Sequence, residues 1–354
     1  MTTPAQRFPT LEHLGPGWYA VVMGLAGLSL AWHRAQPRMG EAATVIGWLA
    51  GAAALAAFVA IGAATVLRGL HHAPAWAEDR RHPVRHTFVA TLPIAVILLA
   101  TVGVANVGPH PALAVLWGLG ALAQFGTTLW VMARWLKPAG PGTGLPWAGV
   151  TPALFIPVVG NVLVPLAGVP LGLAPWAAAQ FAFGLLFWPL VMGLLLARLA
   201  LQGPWPERLR PTVFVSIAPP AVVGLAALQF GAPALVGFGL WGLAVAMAAW
   251  AATQARAIAQ QPFAMPHWAV SFPLAALAAL TLRLADLGLP GTAVLAVLGP
   301  LLLALVTLVV LGLVAATLRG LSRGTLLVPE PAGPPVAVVA GAPTAAPAPA
   351  PRAG

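Results

Sequence analysis

The chain has 354 residues, 60% of them hydrophobic and only 7% charged, and its mean hydropathy is strongly positive. Soluble domains carry about 25% charged residues, so the composition excludes an ordinary globular enzyme and indicates a polytopic membrane protein. The absence of cysteine removes disulfides, cysteine-ligated metals and thiol catalysis. The net charge of +10 encodes orientation rather than nucleic-acid binding, because the basic residues are scattered between apolar runs.

Residues 1–14 read as a cytoplasmic N-terminal segment. The first apolar run, from Gly15 to His33, follows Arg7 as a signal peptide would. It is longer than an h-region of about 7–15 residues and lacks a small-residue cleavage site, so it is expected to be a retained crossing. A spanning helix needs about 20 apolar residues. On that basis ten crossings are expected, at 15–33, 42–68, 87–107, 111–135, 147–168, 175–199, 212–230, 233–255, 268–287 and 291–318. With both termini on one side, that side collects 14 of the 17 basic residues. Arg34 and Arg38 fall opposite, and Arg283 lies within the ninth crossing. Lys and Arg favour the cytoplasm, so both termini are expected inside, with the chain folded as five hairpins. The membrane domain is expected over 15–320. Residues 321–354, rich in Pro and Ala, are expected to form a disordered cytoplasmic tail.

A repeat runs through the odd-numbered crossings. TLPIAVILLA carries Pro93, FIPVVGNVLV carries Pro157, IAPPAVVGLA carries Pro219 and Pro220, and SFPLAALAAL carries Pro273. The first crossing lacks a central Pro but opens GPGWYAVVMG, with Ala20 and Gly24. A Pro frees the carbonyl one turn earlier, which a membrane tolerates only where neighbours or water satisfy it. Recurrence in alternate helices predicts an inner ring of five kinked helices, with five straighter ones outside and a narrow axial passage between small residues.

Four stretches resemble the tellurite-resistance/dicarboxylate transporter family, which includes the bacterial tellurite-resistance channel homologue and the plant guard-cell slow anion channel. They are FPTLEHLGPGWYAVVMGLAGLSLAW (8–32), FIPVVGNVLVPLAGVPLG (155–172), RLRPTVFVSIAPPAVVGL (208–225) and WAVSFPLAALA (268–278). The resemblance covers 8–320. It implies an all-α integral membrane fold of ten helices, in quasi-five-fold arrangement around a central pore. It also implies a homotrimer in the lipid of a bacterial-type inner membrane, and transport of small anions. The family motif places the phenylalanine that plugs the pore at Phe272. Ala20 falls where relatives often carry Gly.

The residues themselves suggest passive conduction. Only one acid, Asp286, lies within a proposed crossing, whereas coupled pumps place ionisable groups at mid-membrane. A pore without carboxylates imposes no cation-attracting ring, and basic loops raise the local anion concentration. A carrier of C4-dicarboxylates, sulfite or tellurite-related oxyanions, with or without proton coupling, is the alternative. Phe272 reads either as packing or as a gate that blocks sterically and by dewetting. Asn161 reads as a pore contact or as an interhelical hydrogen-bonder. Arg283 and Asp286, three apart, are expected to pair on one helical face, with an outer anion site at Arg283 as the second reading. His71, His72, His82 and His86 read as a solvated loop rather than a metal site. No Gly-x-Ser-x-Gly elbow, His-Glu-x-x-His or paired intramembrane aspartate is present, so neither catalysis nor a cofactor is expected.

Overall fold

The structure, a computed structural model, describes residues 11–138, 140 and 143–329, and the protein is an all-α membrane protein. Its α-helices are, in order, α1 (Ala20–His71), α2 (Ala73–Arg81), α3 (Thr91–Val107), α4 (Pro111–Trp135), α5 (Phe155–Val159), α6 (Pro165–Gly168), α7 (Ala174–Gln202), α8 (Ala218–Gln229), α9 (Ala234–Ala252), α10 (Ala255–Ala259), α11 (Ser271–Ala285) and α12 (Ala293–Ser322). Eight helical stretches among the described residues are long and apolar enough to cross a membrane. The expected ten crossings differ from these at two places. α1 runs through the first two crossings, broken only at Gly40 (φ 59°, ψ −137°), a conformation that glycine reaches without a Cβ penalty. The fifth crossing, Pro152–Gly168, is a shorter apolar segment that alternates 3-10 and α turns. Of the expected tail, residues 330–354 lie outside the described residues, as do residues 1–10 of the N-terminal segment.

Burial separates an inner set of helices from an outer one. In the apolar windows of Glu207–Gln229 and Met265–Ala285, 78% of residues are buried, against 17% for Ala234–Ala252. The inner elements close a ring: α1 and the Pro16–Tyr19 turn before it touch α3, α3 touches the 160–168 segment, that segment touches α8, α8 touches α11, and α11 returns to α1. Tryptophans tie the outer helices to this ring. Trp268 Nε1 donates to Thr317 Oγ1 at 2.9 Å, Trp241 Nε1 to Thr281 Oγ1 at 2.9 Å, and Trp117 Nε1 to the Val164 carbonyl at 2.9 Å.

The prolines do lie near the middle of the inner crossings, and there they open α segments that continue from 3-10 turns. Arg85–Ala90 precedes α3, Pro152–Leu154 precedes α5, Glu207–Ile217 precedes α8 and Met265–Val270 precedes α11. Pro93, Pro157, Pro219, Pro220 and Pro273 therefore fall in the first α turn, where a missing N–H leaves no intrahelical bond unmade. A Pro ring clashes with the carbonyl four residues earlier in α geometry. Here that carbonyl belongs to Val89, Ala153, Val215 and Ala269 for the first Pro of each segment, all within the 3-10 turns. Pro16–Tyr19 before α1 completes the set without a Pro at the junction. Hydroxyls support these tighter turns: Thr87, Thr91, Thr212, Ser216 and Ser271 each donate to the carbonyl three residues back.

The loop expected to be solvated is instead partly helical and stapled down. Asp79 and Arg68 are both buried, and Arg68 Nη1 donates to Asp79 Oδ2 at 2.7 Å while its Nε donates to the Glu12 carbonyl at 2.9 Å. Trp76 lies 5.4 Å from the Arg68 guanidinium. Burial pushes the Asp79 carboxyl up, and the hydrogen bond and charge of Arg68, with Arg85 behind it, pull it back. Arg134 donates to the carbonyls of Arg80 and Arg81. His86 is buried with its Nδ1 on the His82 carbonyl, and among the described residues no group of three potential metal ligands gathers.

Candidate pore site

The five inner elements meet around a cavity of about 80 Å3. Each contributes residues at three-residue spacing. Ala20 and Met23 come from α1, Phe88, Thr91 and Ile94 from the approach to α3, and Ala153, Ile156 and Val159 from the broken segment. Thr212, Val215 and Ala218 come from the approach to α8, and Ala269 and Phe272 from the junction before α11. A 3-10 helix repeats every three residues, so i, i+3 and i+6 form one line. Phe88, Ala153, Thr212, Val215 and Ala269 lie in 3-10 turns and the others in α turns, so outside α1 each apolar stripe runs across the junction between the two.

The only polar side-chain groups among these residues face away in function. Thr91 Oγ1 donates to the carbonyls of Pro16 and Phe88, both at 2.6 Å, and Thr212 Oγ1 to that of Leu209. Their protons are committed to the backbone, leaving no free donor on the axis. A small cavity walled by apolar groups stays dry, and a dry constriction opposes an ion because nothing replaces its hydration.

Phe272 is 8% exposed and lines this cavity. Its ring rests against Gly27, where a Cβ would come within 2.9 Å of Phe272 Cδ2 and within 3.2 Å of the Ala275 Cβ. Gly27 therefore makes the seat for the ring. Composition offered no way to select it among 38 glycines. Gly24 does not line the cavity; a Cβ there would run into Ser271 and Trp268, so it serves close helix packing. Ala20, Pro219 and Pro273 line the cavity, whereas Pro93, Pro157 and Pro220 are buried behind it.

Asn161 is not among the lining residues. Its Nδ2 donates to Thr128 Oγ1 and to the Val158 carbonyl, both at 2.9 Å, and its Oδ1 accepts from Gln180 Nε2 at 2.8 Å. Thr128 Oγ1 and Gln124 Nε2 donate in turn to the Pro157 carbonyl, at 2.6 and 3.0 Å. This buried amide cluster satisfies the backbone that the broken fifth crossing leaves open, and it corrects the reading of Asn161 as a pore contact. The expected Arg283–Asp286 pair is also replaced. Asp286 Oδ1 accepts from Arg38 Nε at 2.9 Å, a partner 248 positions away.

The chain matches the model of the SLAC1 family, described as a voltage-dependent anion channel, over residues 13–318. The chain belongs to the SLAC1 family. Two further relatives come from Methanocaldococcus jannaschii. The uncharacterized transporter MJ0576 is 26% identical over 301 residues, covering 76% of this chain and 83% of the relative. The uncharacterized transporter MJ0762 is 24% identical over 294 residues, covering 75% and 82%. The SLAC1 match spans all five elements around the cavity, so the ring described above lies wholly within the family domain. The family is one of channels and transporters, not of enzymes.

Proposed function

We propose that this SLAC1-family protein conducts small anions along the ring axis, through a pore within the subunit that Phe272 occludes. The observation that carries this reading is the convergence of all five inner elements on one apolar cavity, with the Phe272 ring in its wall. Removing the ring would open a passage without carboxylates, which passes weakly bound anions quickly. The termini and the basic loops at 68–85 and 198–210 face the cytoplasm in this reading, in line with their Lys and Arg content. The homotrimer and the bacterial-type inner membrane implied by the resemblance belong to the same proposal.

The test is anion-replacement recording on reconstituted wild type and Phe272→Ala. Phe272→Ala is expected to pass a non-saturating current that favours weakly hydrated monovalent anions over strongly hydrated ones. A flux that saturates and follows an imposed pH gradient at fixed voltage would instead identify a coupled carrier, of dicarboxylates or oxyanions. Equal currents in the two proteins at equal incorporation would remove Phe272 from the pathway.

A further inference from the structure

Beyond the cavity, the ring's far end gathers positive charge around one carboxylate. Arg34 on α1 lies within electrostatic reach of both Arg283 and Asp286, while Asp286 is held by Arg38. Among the described residues, neither Arg34 nor Arg283 has a side-chain hydrogen bond or salt bridge. Three guanidinium groups therefore share one acid, and the acid is committed to the one that stands furthest along the chain in α1. Glu41, exposed past the Gly40 break, is the next acid in sequence.

The register places both unpaired arginines over the cavity. Arg34 is eleven residues beyond Met23, and Arg283 is eleven beyond Phe272; Met23 and Phe272 both line the cavity. Eleven residues of α-helix make three turns to within about 20°, and advance about 16 Å. α1 and α11 lie against each other, so the two side chains stand on one face, three turns above the plug. The face between carries only small residues: Ala276 and Ala279 are each 5% exposed, and Ala275 and Ala278 beside them are fully buried. Gln229 holds the matching position on α8, eleven beyond Ala218.

Polar atoms near this end are left open. His33 Nδ1, beside Arg34 in α1, and Asn106 Oδ1 and Gln229 Oε1, at the ends of α3 and α8, are buried without a partner. Such atoms offer partners to water or to a polar ligand. Two unpaired guanidinium groups within electrostatic reach of one another repel, and an anion between them relieves that repulsion.

We infer that Arg34 and Arg283 form an anion-collecting site in a hydrated vestibule above the Phe272 plug, binding a small inorganic or carboxylate anion before it enters the pore. Arg38 acts through Asp286: by holding that carboxylate, it keeps it from neutralising the other two arginines. The inference deepens the pore reading and rests on it for the direction of flow.

Two measurements on the full-length protein test it. In detergent at about 10 mM ionic strength, where charges act over about 30 Å, added nitrate should raise the Tm of wild type, and Arg34→Gln/Arg283→Gln should lose that response. In bilayers, on the Phe272→Ala background, the same pair should lower the current for nitrate supplied from the far side by roughly threefold or more at low salt. At about 1 M salt the difference should vanish, because screening shortens to about 3 Å. Asp286→Asn, which removes the one acid, should raise the low-salt current, and Arg256→Gln, remote from the site, should change neither readout. An unchanged nitrate response together with unchanged low-salt current in the double variant would overturn the inference. Absence of current from Phe272→Ala, with the nitrate response present in wild type and lost in the double variant, would refute the pore reading and leave the anion site standing. Should the double variant fail to fold, an Asp286→Asn current equal to or below its parent's overturns the inference.

Discussion

Two regions of the inner ring lie close together and are built in opposite ways. The axial cavity is walled by apolar stripes, and its two threonines turn their protons back to the backbone. A few residues along the same broken crossing, Asn161 sits in a cluster where amides and a hydroxyl from three elements bond one another. Inside a membrane both solutions leave few polar groups unmet, but they do so differently. The cluster fills its space with hydrogen bonds and fixes the break. The cavity keeps its space open and walls it with apolar groups, which is why the proposed reading makes the Phe272 ring its plug. Beside the cavity, polar residues thus mark where the fold is braced, and the proposed constriction is marked by their absence.

The sharpest way to break that contrast is a size series at the plug. Phe272→Leu, Phe272→Val and Phe272→Ala are expected to raise anion current in that order, the last by roughly an order of magnitude or more. Little loss of Tm should accompany it, since the ring packs against an open cavity on one side. Currents independent of side-chain size would place the passage elsewhere.

The opposite behaviour is expected of the amide cluster. Asn161→Leu leaves a buried Gln180 N–H unpaired, at about 1–3 kcal/mol. A clear drop in Tm should follow, with no gain in current beyond what the loss of folded protein explains. Thermal scans beside single-channel recordings separate the two effects.

Gly27 links the plug to its seat and should show coupling. Gly27→Ala alone forces the Phe272 ring to shift, and such overpacking costs about 1–3 kcal/mol. On a Phe272→Ala background the same change has room, so a double-mutant cycle should recover most of that cost. Additive losses would mean that the ring does not rest where Gly27 lies. The smallest effect belongs to Thr212→Val, which removes one hydroxyl bond worth about 0.5–1.5 kcal/mol. On the Phe272→Ala background its current should stay within about twofold of the parent, because that hydroxyl's proton is committed to the Leu209 carbonyl. A large fall would show that the hydroxyl serves the passing ion.

The parts of this design that were legible in the sequence are those written in residue identity at fixed intervals. Pro93, Pro157, Pro219 and Pro273 revealed the repeat and the inner set of helices, and FPLAALA drew attention to Phe272. Those prolines did not disclose the 3-10 turns before them, because in a segment where nearly every residue is apolar a period of three and one of 3.6 look the same. Asn161 stood out as a polar residue in a greasy run, yet its meaning depended on Gln180 and Thr128, which only the folded chain brings to it. Asp286 offered a local partner at Arg283, three residues away, but the packing of α1 against α11 delivers Arg38 instead. Gly27 carried no signal at all until the ring that rests on it was placed.

The contrast between brace and passage can be measured directly, because the chain contains no cysteine and each introduced thiol is unique. Val215→Cys on the cavity wall and Gln180→Cys in the amide cluster, each on the Phe272→Ala background, would be exposed to a small charged methanethiosulfonate reagent during recording. Rapid loss of anion current in Val215→Cys, with Gln180→Cys unaffected, is the expected result. Block of Gln180→Cys, or untouched current in Val215→Cys after confirmed labelling, would contradict an axial passage past Phe272.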